Sequence, residues 1–210
     1  MEIKRLKFID KTYVITLLIL LVCGLVVLAS ASSSISSDPY FYLKKQIVSI
    51  ALGFVAIIII LRYEYIELSR YSWFLYGFSI ILLVLVLVFG EEVRGTTGWI
   101  SFGPLPAVQP AEFTKILLIL AFADFLNNRK GEMDTLAQML PCFAYMGLPF
   151  VLIMMQPDLG TGLVYIAITL VMMYAAGANP KILLTLLFSG VLLTVILFFA
   201  HVEFGLPLPL

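Results

Sequence analysis

Residues 71–89 read YSWFLYGFSIILLVLVLVF, nineteen positions without a charged side chain. An α-helix rises about 1.5 Å per residue, so a run of this length crosses the roughly 30 Å hydrocarbon core of a bilayer. Lipid offers no partner for backbone N–H and C=O groups, so such a run must be helical. Outward from it, similar runs recur at Tyr13–Ala31, Ile47–Leu61, Ala111–Leu126, Ala137–Met155, Gly162–Ala176 and Ile182–Ala200. The second of these is also compatible with a start near Phe41. Together the seven runs predict an all-α fold, a polytopic transmembrane bundle of about seven spanning helices over residues 13–200, after a cytoplasmic N-terminus at residues 1–12.

Composition agrees. The 210 residues are 62% hydrophobic and 12% charged, against about 25% charged in soluble domains. A single core of this size could not hide that apolar excess, and a bilayer supplies the solvent for it. Thirteen basic and thirteen acidic residues give no net charge, and no basic block suited to nucleic acid is present. Cys23 and Cys142 lie in apolar runs without CxxC spacing and read as small hydrophobes. His201, the one histidine, makes no metal site by itself. The basic start and Ala29-Ser30-Ala31 resemble a signal peptide, but the apolar run exceeds the 7–15 residues of a signal core and more spans follow, so it reads as a retained first helix.

Basic residues set the orientation. With the N-terminus in the cytoplasm, the inner segments hold Lys4, Arg5, Lys7, Lys11, Arg62, Arg70, Arg129, Lys130 and Lys181, and the outer ones Lys44, Lys45 and Arg94. Nine against three favours N-terminus inside, with residues 201–210 outside. The longest polar connection, 90–109, is then extracytoplasmic. Its charges, glycines and prolines mix with Trp99, Ile100 and Phe102, the composition of an interfacial loop with Trp99 at headgroup depth.

Four ionisable groups fall within or beside apolar runs: Glu112, Lys115, Asp124 and Asp158. A charge facing lipid at mid-bilayer costs at least about 2.5–3.5 kcal/mol, so such groups face protein or water. Glu112 and Lys115, three apart, share a helix face and can neutralise one another. Glu112 also suits the first turn after Pro110, where the helix dipole favours an acid, whereas Lys115 gains nothing there. Asp158 stands open between a site role and an N-cap. Asp124, beside Asn127 and Asn128, reads as a snorkelling or capping residue. The residues by themselves predict a polar, anion-binding cavity open to the outside. No Walker loop, GxSxG elbow or dinucleotide fingerprint appears.

Three stretches resemble one family. Arg94-Gly95-Thr96-Thr97-Gly98-Trp99-Ile100 is similar to its Gly-Ala-x-Arg-Trp-Ile segment. Gln109-Pro110-Ala111-Glu112-Phe113-Thr114-Lys115 is similar to its Gln-Pro-Ser-Glu-x-x-Lys. Gln156-Pro157-Asp158-Leu159-Gly160-Thr161 matches its Gln-Pro-Asp-Leu-Gly-Thr. In this order on a seven-span map they resemble the shape, elongation, division and sporulation (SEDS) family, the RodA/FtsW/SpoVE group. Gly98 departs from the family's Arg before the Trp.

The resemblance implies a peptidoglycan glycosyltransferase of elongation or division in the bacterial cytoplasmic membrane. It would polymerise lipid II beside a class B penicillin-binding protein, a transpeptidase, among membrane lipids. Glu112, Lys115 and Asp158 would line the central cavity in supporting roles. Arg94 and Trp99 would stand at the rim near the lipid-linked substrate, with Gln109 and Lys115 as further substrate-binding candidates. A carboxylate would take the acceptor's proton, and a cation, a divalent metal ion among the candidates, would stabilise the departing pyrophosphate. No residue is assigned as the base. Family members run to about ten spans and carry an essential Asp in a later outer loop, so the chain is expected to be incomplete. Two other functions fit the intramembrane charges and the short length: a flippase for lipid-linked precursors, and a non-catalytic scaffold for a transpeptidase.

Overall fold

The structure, a computed structural model, describes residues 10–32, 40–60, 65–93, 95–101 and 107–204. Eight helices and one two-stranded hairpin follow in chain order among them: α1 (Lys11–Ser32), α2 (Phe41–Ile60), α3 (Tyr65–Ser69), α4 (Ser72–Phe89), β1 (Glu91–Val93), β2 (Thr96–Trp99), α5 (Pro110–Asn127), α6 (Leu136–Met154), α7 (Leu159–Ala175) and α8 (Pro180–Phe204). Seven of the helices answer to the seven apolar runs. The second begins at Phe41, before Lys44 and Lys45, long side chains whose aliphatic stems are compatible with an apolar helix. Lys45 Nζ stands 4.8 Å from the Phe41 ring centroid.

Two compact units divide the chain. The first contains α1 and α2, which pack against each other. Both expose Ile, Val and Leu over most of their length, with Leu17, Leu21, Leu25 and Leu28 forming a half-buried stripe on α1, so the solvent of the exposed faces is lipid. Five helices, α1, α2, α4, α6 and residues Pro180–Leu197 of α8, are long and apolar enough to span a membrane. The 18-residue α5 carries Glu112, Lys115 and Asp124, and the 17-residue α7 is apolar but shorter. These two are the helices that need neighbours.

In the second unit α5 packs against α4, α6 and α7. Its buried stripe, Ala111, Thr114, Leu118, Ala121, Phe122 and Leu126, recurs every three or four residues, as one helix face must. The small side chains on it allow the close backbone approach on which helix packing in lipid depends. Leu83 of α4, Met139 and Ile153 of α6, and Tyr165 and Met173 of α7 complete the core. Phe122, Phe125, Tyr76 and Tyr145 form an aromatic cluster joining α4, α5 and α6, with Tyr76 and Tyr145 ring centroids 4.1 Å apart.

Helix α6 contains two prolines, Pro141 and Pro149. A proline inside a helix has no N–H for the carbonyl four residues earlier. For Pro149 that carbonyl belongs to Tyr145, and the Tyr76 hydroxyl of α4 donates to it at 2.9 Å. At its start α6 has a capping box: Thr135 accepts from the Gln138 backbone N–H, and Gln138 reaches back to the Thr135 N–H. The stretch read as a polar loop contains structure of its own. β1 and β2 pair antiparallel, with Val93 opposite Thr96, and Gly95 turns between them at φ 84°, a conformation glycine adopts without cost.

Candidate functional site

The end of α4, the hairpin, the start of α5, the end of α6 and the start of α7 meet at one end of the second unit. Backbone bonds fix the meeting: the Thr97 N–H donates to the Gln156 carbonyl at 3.3 Å, and Ile100 and Val108 exchange two bonds of 2.9 Å. Here the three motifs come together.

Asp158 is the N-cap of α7. One carboxylate oxygen, Oδ1, accepts from the Thr161 N–H at 2.9 Å. The other, Oδ2, accepts from Thr161 Oγ1 and from Gln109 Nε2, each at 2.7 Å. Gln109 is itself the N-cap of α5, yet its side chain makes no capping bond there. It spans to the next motif instead, so the second and third motifs are joined side chain to side chain across 49 residues of sequence.

Two further residues complete the cluster. Gln156, in the same six-residue stretch as Asp158, is 1% exposed and donates through Nε2 to the Leu83 carbonyl at 3.4 Å. Gly98 of the hairpin lies against both glutamine amides: a Cβ there would stand 3.2 Å from Gln156 Oε1 and 3.4 Å from Gln109 Nε2. A long side chain at this position would have to displace these amides. Trp99, next along β2, is half-buried and pairs with Glu91.

Glu112 and Lys115 form an ion pair, Nζ to Oε1 2.7 Å, with the Glu112 side chain 55% and the Lys115 side chain 19% exposed. Both sit within the two turns that follow Gln109. Among the described residues no hydrogen bond or ion pair joins this pair to Asp158, so the expected trio is a pair and a separate joint on neighbouring turns. Thr114, on the buried face between them, shares a 2.6 Å hydrogen bond with the Tyr165 hydroxyl, locking α5 to α7 one turn deeper. Asp124 belongs to the other end of the bundle, where it accepts from the Ser72 hydroxyl at 2.7 Å, a side-chain bond between α5 and α4 rather than a helix cap. Arg94 lies outside the described residues. Gln156 and Thr161 were not singled out from sequence, although both stand in the stretch quoted for Asp158.

No group of three His, Cys, Asp or Glu side chains that could hold a metal occurs among the described residues. The Asp158 oxygens are engaged with N–H and O–H donors. These described residues do not make a metal site.

A multi-pass helical membrane bundle, with the polar residues of α5 and α7 and a small hairpin drawn together at one end, is the class of protein that this fold and site define. Within that class the chain belongs to the cell cycle protein family of FtsW, RodA and SpoVE, whose family model matches residues 10–204. It is 36% identical over 183 residues to a probable peptidoglycan glycosyltransferase FtsW of Escherichia coli O6:H1, covering 85% of this chain and 44% of that protein. It is 33% identical to stage V sporulation protein E of Bacillus subtilis, over 81% of this chain and 48% of that one. Among solved structures, the rod shape determining protein RodA of Thermus thermophilus superimposes with a TM-score of 0.65 at 32% identity, over 84% of this chain and 58% of that one. A chain of a peptidoglycan synthase complex that coordinates polymerization and crosslinking superimposes with a TM-score of 0.69 at 30% identity, over 89% and 55%. The chain spans about half the length of the curated relatives it matches.

Proposed function

We propose that the gene product carrying these residues is a peptidoglycan glycosyltransferase, polymerising lipid II at the outer face of the bacterial cytoplasmic membrane with a class B penicillin-binding transpeptidase beside it. The observation that carries this is the hydrogen bond between Gln109 and Asp158, which unites two family motifs at the same end of the bundle as the hairpin bearing Trp99. The basic-residue tally assigns that end to the outside, where the glycan strand is built.

In the reaction, the acceptor hydroxyl oxygen forms a bond to C1 of the donor sugar while the bond from C1 to the lipid pyrophosphate breaks. The acceptor's proton leaves to a carboxylate, and the pyrophosphate carries away the bonding pair. A cation near the leaving group lowers the barrier by meeting that charge as it develops. Lys115 has the charge for this role, and it pairs with Glu112 within the two turns of α5 that follow Gln109. Trp99 lies on β2 at the same end and is a candidate for contact with the lipid-linked substrate, as is Arg94 by its place in the first motif.

The test is polymerisation of lipid II by the purified gene product with its transpeptidase in liposomes, read as a ladder of glycan strands. A ladder that disappears with Lys115→Ala supports the assignment. Movement of lipid II across the bilayer without polymer would favour a flippase. Neither activity, with the transpeptidase bound and active, would leave the scaffold reading.

A further inference from the structure

We propose that Asp158 is a positioning residue whose charge does no chemistry: its carboxylate is the joint through which Gln109 and Thr161 lock the first turns of α5 and α7 against each other at the hairpin. This deepens the glycosyltransferase reading and rests on it for its activity readout.

The geometry supports this at three points. First, a carboxylate offers about four acceptor positions, and three of those of Asp158 are filled by donors from the protein: the Thr161 N–H, the Thr161 hydroxyl and the Gln109 amide. Second, Asp158 occupies an N-cap, where an oxygen acceptor relieves the unpaired N–H groups of a helix start and the dipole favours a negative charge. Third, Gln109 forgoes capping its own helix to reach Asp158, and the same amide faces Gly98, where an added Cβ would stand 3.4 Å from its Nε2. A displacement at Asp158 is therefore passed to both the start of α5, which bears Glu112 and Lys115, and the hairpin, which bears Trp99.

Positioning and chemistry make opposite demands on one substitution. Asn is as good an N-cap as Asp. In Asp158→Asn the side-chain oxygen can still accept from the Thr161 N–H, and the new amide can donate to Gln109 once the Gln109 amide turns over to present its oxygen. The joint survives without its charge. In Asp158→Ala no joint is left, and in Gln109→Glu two carboxylates face each other.

The experiment measures lipid II polymerisation by the gene product with its transpeptidase, together with thermal unfolding in detergent, for these three variants and for the Gln109→Ala/Asp158→Ala pair. The expected result is that Asp158→Asn keeps a rate within about threefold of wild type, as the similar cap preferences of Asn and Asp imply. Asp158→Ala and Gln109→Glu should each lose at least about tenfold, the loss expected for a charge-assisted hydrogen bond, with lowered Tm. The two alanine substitutions should be non-additive in Tm. An Asp158→Asn protein with wild-type Tm and the inactivity of Asp158→Ala would overturn the proposal and make the charge chemical. Additive Tm effects would show that there is no joint. Absence of polymer from the wild type would remove the glycosyltransferase reading, while the Tm cycle would still decide the joint.

Discussion

Replacing Tyr76 by Phe deletes one oxygen and keeps the ring that stacks on Tyr145. The lost group is the donor to the Tyr145 carbonyl, whose own helix cannot replace it because Pro149 stands four residues on. An unpaired buried carbonyl costs about 1–3 kcal/mol in water-soluble proteins, and interhelical hydrogen bonds in membranes average about 0.6 with a maximum near 1.7 kcal/mol. Because Pro149 cannot supply the N–H that would otherwise bond this carbonyl, the cost falls toward the upper end, and Tyr76→Phe should destabilise by about 1–1.5 kcal/mol. Pro149→Ala returns an N–H to the helix and supplies the carbonyl from within. In that background Tyr76→Phe should cost about half as much or less, giving a coupling of at least about 0.5 kcal/mol. Reversible unfolding in mixed micelles on the four proteins measures it. An equal cost of Tyr76→Phe in both backgrounds would refute the link between the proline and the tyrosine.

Two further substitutions test other parts of the fold. Thr135→Ala removes the cap of α6, leaving the Gln138 N–H without its acceptor, and should cost about 1 kcal/mol of stability in the same assay. Gly98→Leu forces a branched side chain against the Gln109 and Gln156 amides; polymerisation should fall at least about tenfold, by the loss of one charge-assisted bond at Asp158, while Gly98→Ala, whose Cβ needs the amides to yield only a few tenths of an ångström, should stay close to wild type.

Where the sequence is legible, one physical constraint dominates. Lipid cannot bond a free backbone, so runs such as 71–89 had to be helices, and the run edges fall close to the ends of α4 and α6. The start of α2 was harder because Lys44 and Lys45 interrupt the apolar pattern while their stems remain compatible with it. The hairpin was read as loop because β1 has three residues and β2 four, too few for alternation to register; Gly95 beside the β-branched Thr96 and Thr97 was the available signal. At the site, Asp158 is legible as a cap or a functional group, and the structure shows the cap. What spacing could not show is that Gln109 would reach it. Contacts between helices depend on rotation and depth, and a separation of 49 residues carries no information on either. Gln156 and Thr161 were hidden for a related reason: a buried amide and a hydroxyl carry no charge for the membrane argument to act on.

Polymerisation at the outer face requires the joined ends of α5 and α7 to lie outside the membrane. Single cysteines at Glu92, exposed on β1, and at Asn128, exposed at the far end of α5, can be labelled with a membrane-impermeant maleimide in intact spheroplasts; the native Cys23 and Cys142, in apolar helices, serve as the unlabelled background. Labelling of Glu92→Cys from outside, with Asn128→Cys labelled only after permeabilisation, is the predicted result. The reverse pattern would place the polar cluster in the cytoplasm and contradict polymerisation at the outer face.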